Sequence, residues 1–436
     1  MTTWPDNMPA PVLNRLIDAH LTIQLEQGGL AQLKAWQDIQ WRALQGWLRT
    51  HTPWWADRLQ AGDGWENPER LPVLNRHDLT QMVARHGAAP VPPHHGNVRK
   101  GNTSGSTGIA VNFFVSQFTQ RMIDHAYAAD NIRQGRSNLG LRAVVDARVK
   151  GNETPHLAVE SDFMEGAGRI LRRSFSDFTT AQHAQWLLEH RPRYLISYPG
   201  WLERLLDDAQ ANGWELPPLE QAMPYGAAVS PSLRRKAREI LGAAVRDRYS
   251  CEECGPLAFQ CPHSDDHYHV AMTNVRLETV DDEGRACPPG QPGKVLVTSL
   301  HQYATPLIRY DLGDIAALHP TCPGCGTGVQ ALSQLLGRRL FLLRLPDGTR
   351  KALRLVVRDW LACAPVKEYR VVQKTATSFE AEVVMDRPIT IEEEDAIVDM
   401  LQDAISPQLT YAVRQVESLP QTTSHKRAEV FNLLES

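Results

Sequence analysis

Apolar positions recur along this chain in two rhythms. Leu33, Trp36, Ala43 and Trp47 follow one another at steps of three, seven and four residues. That spacing lays one apolar stripe along a helix. Val111 to Ser116 reads as a strand, and the segment after it as a helix. In the middle of the chain, short apolar runs (Leu195 to Ser197, Gly293 to Thr298) alternate with helical stretches such as Ser232 to Leu241. This alternation predicts an α/β architecture. The prolines from Pro90 to Pro93 mark a surface connection ahead of the first glycine-rich loop. After about Gly337 the texture changes. Phe379, Ala381, Val383 and Met385 alternate with more polar neighbours, the pattern of a half-buried strand. Thr390 and Glu393 make a capping box ahead of Ala396, Ile397, Met400, Leu401, Ala404 and Ile405. Tyr411 to Val416 reads as a second strand. A strand–helix–strand unit of this length predicts a small α+β domain. The expected division is residues 1–337 and 338–436.

Composition narrows the function classes. The 436 residues suffice for two or three domains with ample core. Hydrophobic residues at 42% and charged residues at 22% are ordinary for a soluble globular chain. A net charge of -4 argues against a nucleic-acid partner. No apolar run reaches membrane-span length, so no membrane partner is expected. The opening MTTWPDNMPAPVLNRL has no basic segment followed by an apolar core. The expected location is the cytoplasm. Of seven cysteines, Cys251, Cys254 and Cys261 cluster, Cys287 follows, Cys322 and Cys325 form a C-x-x-C, and Cys363 stands apart. An odd, clustered set without a signal peptide suits metal ligation better than a disulfide framework.

The sharpest local signal is Thr103-Ser104-Gly105-Ser106-Thr107-Gly108, just before a strand. Glycines let N–H groups converge and hydroxyls add donors, which makes a nest for phosphate oxygens. The Walker pattern G-x-x-x-x-G-K-[ST] is absent. Composition alone fits a flexible surface loop equally well.

Four further segments follow in order. They are Arg248-Tyr249-Ser250-Cys251-Glu252-Glu253, Pro306 to Asp314 (PLIRYDLGD), Gly337-Arg338, and Pro420 to Lys426 (PQTTSHK). With the glycine-rich loop, this series resembles the AMP-forming adenylate superfamily of acyl-CoA synthetases, nonribosomal adenylation domains and luciferases. The phrasing is most similar to the phenylacetate–CoA ligase family. The resemblance runs from about Trp41 to Phe431. It implies an α/β fold: a large N-terminal adenylate-forming domain and a small, mobile α+β C-terminal domain.

The resemblance also implies residue roles. Thr103, Ser104, Gly105, Ser106, Thr107 and Gly108 would clamp the β- and γ-phosphates of ATP. Glu253 would hold Mg²⁺. Tyr249 would belong to the nucleotide-binding site, and the stretch Tyr225-Gly226-Ala227-Ala228 would stack on adenine, with Ala227 standing where the family often has an acid. Asp314 would accept from the ribose hydroxyls, and Arg338 would sit near the ribose or α-phosphate. Lys426 would bridge the attacking carboxylate and the α-phosphate. Such catalysis is mostly positioning and charge neutralisation. Taken singly, each residue also fits an ordinary turn, surface charge or local pair.

Cys261 and the Cys322/Cys325 knuckle resemble a structural zinc site of phenylacetate–CoA ligase relatives, within residues 251–325. His269 suits the fourth position. Cys254, His263 and His267 are also in reach, and a redox C-x-x-C is the rival reading. Departures concern the second half-reaction. His425 replaces the glycine before the lysine. The hinge reads Gly337-Arg338-Arg339-Leu340-Phe341, without the family's pivoting aspartate. Leu345 to Arg350 (LPDGTR) replaces a glycine-rich loop that receives pantetheine. The expected function is ATP-dependent activation of a carboxylic acid to an acyl-adenylate, then transfer to a thiol such as CoA. Tyr198 and Tyr225 suggest an aromatic acid. The alternatives are transfer to an amine, a hydroxyl or a carrier-protein thiol, or a non-catalytic binding protein on a ligase scaffold.

Overall fold

The computed structural model describes residues 10–60, 66, 68–103, 111–153, 156–157, 169–338, 342–353, 355, 357–419 and 430–434. Two large sheets dominate. The first has six strands in the order His156–Leu157, Arg169–Ser174, Arg142–Asp146, Tyr194–Ser197, Gln221–Pro224, Ala244–Val245. Its pairings are parallel apart from the first. Helices Thr180–His190, Pro199–Asn212 and Pro231–Leu241 are its crossovers. Leu187, Leu202, Leu205, Leu206, Leu233 and Leu241 pack with Ala143, Leu195 and Ala222 of the strands in one apolar cluster. Local chemistry sets the helix ends. Thr179 and Gln182 form a reciprocal capping box, and the Ser230 hydroxyl accepts from the Leu233 N–H at 2.9 Å.

The second sheet has seven antiparallel strands in the order Val275–Val280, Pro292–Ser299, Tyr310–His319, Ala331–Arg338, Tyr268–Val270, Gly255–Gln260, Arg248–Cys251. Its apolar face packs with Ile123, Ala126 and Tyr127 of helix Gln117–Arg133 and with the N-terminal helices. A hairpin of Val98–Asn102 and Asn112–Ser116 leads into that helix, whose N-cap is Ser116.

Helix Gly29–His51 corrects the expected stripe. Its buried residues are Leu33, Gln37, Trp41, Leu44 and Leu48, while Ala43 is exposed and Trp36 and Trp47 are half-buried. The reason is polar. Gln37 Nε2 donates to the carbonyls of Met272 and Val275 at 3.0 and 2.8 Å. The indoles of Trp36 and Trp47 stand at the margin and donate to Thr273 O and Pro90 O. Counting apolar letters cannot detect a glutamine on the core face.

Beyond the second sheet, Leu343, Trp360, Val371, Phe379, Ala381, Val383, Ile397 and Leu401 form a separate core. It lies under a mixed sheet ordered Thr410–Gln415, Ser378–Val384, Glu368–Gln373, Val430–Asn432. Helix Ile391–Ala404 begins with the Thr390/Glu393 capping box expected from the sequence. No helix among the described residues is long and apolar enough to cross a membrane.

Candidate functional site

Tyr249 lies in strand Arg248–Cys251 and Asp314 in strand Tyr310–His319. The Tyr249 hydroxyl donates to Asp314 Oδ2 at 2.7 Å, and both residues are buried. Asp314 is paired in antiparallel register with Arg338. Three of the sequence-predicted nucleotide residues therefore meet at one place. Next to Asp314, Gly313 takes φ 76°, and its N–H donates to Asp311 Oδ1 at 2.8 Å. This turn is one that glycine makes easily. Only the backbone of Arg338 is described.

Arg309 has a different task from its neighbours. It sits at φ 48° with its guanidinium 3.0 Å from Glu278 Oε2 and donating to Leu71 O at 2.6 Å. Burial raises the Glu278 carboxyl, and Arg309 opposes that shift. Arg309 thus ties the start of the strand that carries Asp314 to strand Val275–Val280, two positions away in the sheet, and to the 71–74 segment.

Glu253 occupies the tight turn between strands Arg248–Cys251 and Gly255–Gln260. It is buried, and its carbonyl accepts from Gln302 Nε2 at 3.0 Å. Gly255 follows at φ 77°, where an added Cβ would come within 2.7 Å of Ile123. Helix Gln117–Arg133 therefore fixes this turn from below.

Thr103 closes the base of the glycine-rich loop. Its N–H donates to Val111 O and its hydroxyl accepts from the Val111 N–H, both at 3.0 Å, and from Arg76 Nη2 at 2.9 Å. Ser104, Gly105, Ser106, Thr107 and Gly108 lie outside the described residues, as does Lys426.

The carboxyl ends of three parallel strands converge beside this region, the edge where open α/β sheets bind ligands. Tyr225, Gly226, Ala227 and Ala228 continue from Gln221–Pro224; Gly226 has φ 86°, and Ala227 and Ala228 are exposed. Asp146 ends the strand Arg142–Asp146. Its carboxylate accepts from Tyr225 Oη at 2.9 Å, Tyr198 Oη at 3.5 Å and Arg148 Nη2 at 2.8 Å. Burial works to raise this carboxyl, but hydrogen bonds from Arg148 and Tyr225 overcome it and hold it below its ordinary value. Burial and the nearby Asp146 charge push the Tyr225 hydroxyl up. Sequence reasoning missed Asp146. The available signal was an aspartate closing the apolar run Ala143 to Val145.

A second constellation lies at the other end of the antiparallel sheet. The donor atoms of Cys261, His269, Cys322 and Cys325 all fall within 4.8 Å of one another, and Cys325 Sγ is 3.3 Å from His269 Nε2. Zinc bound by three thiolates and an imidazole needs donor separations of about 3.5–3.8 Å, so this quartet fits a tetrahedral ion. Cys261 follows strand Gly255–Gln260, His269 lies in the strand paired with it, and Cys322 and Cys325 sit in a loop closed by Gly326 N–H donating to Cys322 O at 2.8 Å. Burial pushes the Cys261 thiol up to about 12 and the His269 imidazole down to about 4. Cys254 instead packs in the apolar core near Cys251.

The AMP-binding enzyme family matches residues 157–303. Phenylacetate-coenzyme A ligases from Pseudomonas putida and Thermus thermophilus are each 26% identical, over 164 and 166 residues. Each alignment takes in 36% of this chain and 37% of the relative, so the match spans little over a third of those proteins. A 2-hydroxyisobutyryl-CoA ligase, solved in the postadenylation state with an acyl-AMP, superposes with a TM-score of 0.65 at 18% identity. That superposition covers 92% of this chain and 90% of the other. An anthranilate CoA ligase with anthranoyl-AMP gives 0.53 at 17% identity, covering 76% of this chain and 64% of the other. The chain has the adenylate-forming ligase fold, and its residues 157–303 match the AMP-binding enzyme family.

Proposed function

We propose that this protein uses ATP to activate a carboxylic acid as an acyl-adenylate and then passes the acyl group to a thiol, CoA being the leading acceptor. The observation that carries this reading is the Tyr249–Asp314 hydrogen bond beside the Arg338 register position. It supplies a fixed, buried carboxylate suited to a diol such as ribose. The phenylacetate-coenzyme A ligases and the acyl-AMP complexes among its relatives support the same chemistry.

The first step forms a bond between a carboxylate oxygen and the α-phosphorus and breaks the bond from that phosphorus to the α,β-bridging oxygen. Pyrophosphate leaves with the electron pair. In the second step the thiol sulfur bonds to the acyl carbon, AMP leaves as phosphate monoester, and the thiol proton passes to solvent. Thr103 anchors the phosphate loop, and Tyr225 to Ala228 border adenine. Lys426 neutralises charge between carboxylate and α-phosphate. Glu253 is the residue suited to Mg²⁺, which offsets phosphate charge when bound. Cys261, His269, Cys322 and Cys325 hold a structural zinc ion, because four protein donors leave no open position for substrate. Residues 338–436 act as the lid that carries Lys426, and the protein works in the cytoplasm.

A screen of pyrophosphate release with ATP, Mg²⁺ and a panel of aliphatic and aryl acids tests this. The expected result is release that depends on one acid class. Release that no acid alters would refute it.

A further inference from the structure

Strand order within the parallel sheet marks a crevice. The chain leaves strand Arg142–Asp146 for its neighbour on one side, Arg169–Ser174. It then crosses to the other side at Tyr194–Ser197 and continues outward to Gln221–Pro224 and Ala244–Val245. The direction of winding therefore reverses between Arg142–Asp146 and Tyr194–Ser197. Open α/β sheets take ligands outside the carboxyl ends of the strands at such a switch. Asp146 closes the first of these strands, and Tyr198 directly follows the second. Tyr225, directly after the next strand outward, opens the segment assigned to adenine.

One carboxylate ties these strand ends together. Asp146 Oδ2 accepts from Tyr225 Oη at 2.9 Å, and Tyr198 Oη stands 3.5 Å from Oδ1. Arg148 donates its backbone N–H to Oδ1 at 2.7 Å and its Nη2 to Oδ2 at 2.8 Å. The Tyr198 and Tyr225 rings pack with centroids 4.8 Å apart. The backbone holds the same strands: Ser197 Oγ donates to Val145 O at 2.9 Å, and the Tyr225 N–H donates to Ser197 O at 3.1 Å. The Asp146 side chain is 9% exposed against 59% for Arg148, so the carboxylate is the inner member of that ion pair. A buried carboxylate is costly unless donors surround it, and the tyrosine hydroxyls are therefore held rather than free to rotate. The residue after Tyr225, Gly226, takes φ 86°, so the chain turns sharply at the point where Tyr225 is fixed. The orientation of Tyr225 thus sets where Gly226, Ala227 and Ala228 present their backbone.

Resting on the acid-activation reading above, we propose that Asp146 is a positioning residue of the nucleotide site. It holds the Tyr225 hydroxyl, and through Tyr225 it keeps segment 225–228 preformed to receive adenine. Preforming this turn removes an ordering cost that ATP would otherwise meet on binding. The effect therefore falls on ATP affinity rather than on the reacting carboxylate or the α-phosphorus.

Calorimetric titration with ATP and acid-dependent pyrophosphate release test it together. Asp146→Ala raises the Kd for ATP about tenfold, on the scale of one hydrogen bond to a charged group. Tyr225→Phe raises it by a similar factor. The double variant binds no more weakly than the poorer single one, because both substitutions remove the same bond. Asp146→Asn keeps an acceptor oxygen for Tyr225 and restores most of the affinity. In turnover, KM for ATP rises, while kcat at saturating ATP and KM for the acid change by less than about threefold. Wild-type ATP affinity in Tyr225→Phe overturns the proposal, and that variant decides even where Asp146→Ala fails to fold. Losses that multiply in the double variant overturn it too. So does a rise in KM for the acid alone, which moves Asp146 to the acid pocket. Silence of wild type toward every acid, with ATP still bound, overturns the acid-activation reading and leaves the titrations to judge Asp146.

Discussion

The Tyr249 hydroxyl reaches Asp314 Oδ2 at 2.7 Å although three strands lie between theirs in the sheet. Four strand spacings of a flat sheet amount to roughly 19 Å, far beyond the length of a tyrosine side chain. The antiparallel sheet must therefore curl strongly, and the pair closes its inner surface. Residues 65 positions apart in sequence thus meet at the place proposed above for the nucleotide. Removing the carboxylate should weaken ATP binding more than removing the hydroxyl. Asp314→Ala is expected to raise the Kd for ATP about 10- to 100-fold, the worth of charged hydrogen bonds, and Tyr249→Phe only about fivefold. Calorimetric titration checks this. Wild-type affinity in Asp314→Ala would remove Asp314 from the nucleotide site.

The cysteine–histidine quartet should hold about one zinc ion per chain in protein purified without chelator. Cys322→Ser should lower zinc content and Tm together, since a closed site couples binding to folding. Elemental analysis that finds no zinc in freshly reduced protein contradicts the assignment.

Asp247 gives stability a pH dependence of defined sign. Burial raises its carboxyl from 3.8 to about 6, against opposing pulls from Tyr268 and Arg248. The folded state then holds the proton more tightly than the unfolded state. The stabilising contribution is full below about pH 4 and is lost as pH rises through 6. Asp247→Asn lacks this dependence, so its stability relative to wild type should improve between pH 4 and 7, on the order of 2 kcal/mol. Parallel melting profiles of the two proteins across that range would contradict it.

The first hairpin of the small unit carries the prediction on the acceptor. Strands Leu342–Arg344 and Arg350–Ala352 pair around a turn in which Gly348 takes φ 83° and Asp347 Oδ1 accepts from the Thr349 N–H at 2.8 Å. This closed turn stands where the resembling family has a glycine-rich loop for pantetheine. Residues 339–341 of the hinge lie outside the described residues. CoA is expected to be a poorer acceptor than in phenylacetate ligases, with a carrier thiol or an amine competing. Comparing product with and without CoA, using the preferred acid, decides it. Rapid thioester formation at micromolar CoA restores a plain CoA ligase.

Local rules made much of the architecture legible. The Thr390/Glu393 box starts a helix because both partners lie within four residues. The strand–helix alternation of the middle chain gave the parallel sheet for the same reason. Order of motifs identified Tyr249 and Asp314 individually, but not their hydrogen bond, which depends on sheet curvature. Gln37 went unread because its carbonyl partners are distant in sequence, and Asp146 because, beside the local Arg148, its tyrosine partners Tyr198 and Tyr225 are. Arg309, inside a motif, proved to hold Glu278 and Leu71. Pattern marks such a residue without saying whether it touches ligand or scaffold.

The central claim is reversible formation of an acyl-adenylate, and ATP–pyrophosphate exchange measures that step alone. With the preferred acid and Mg²⁺, wild-type protein should return label from pyrophosphate into ATP, and omission of the acid should reduce exchange to background. Lys426→Ala should bind ATP yet exchange label about 30- to 1,000-fold more slowly, the effect of losing one transition-state charge contact of about 2–4 kcal/mol. Exchange that no acid stimulates, or a Lys426→Ala rate equal to wild type, would contradict the account.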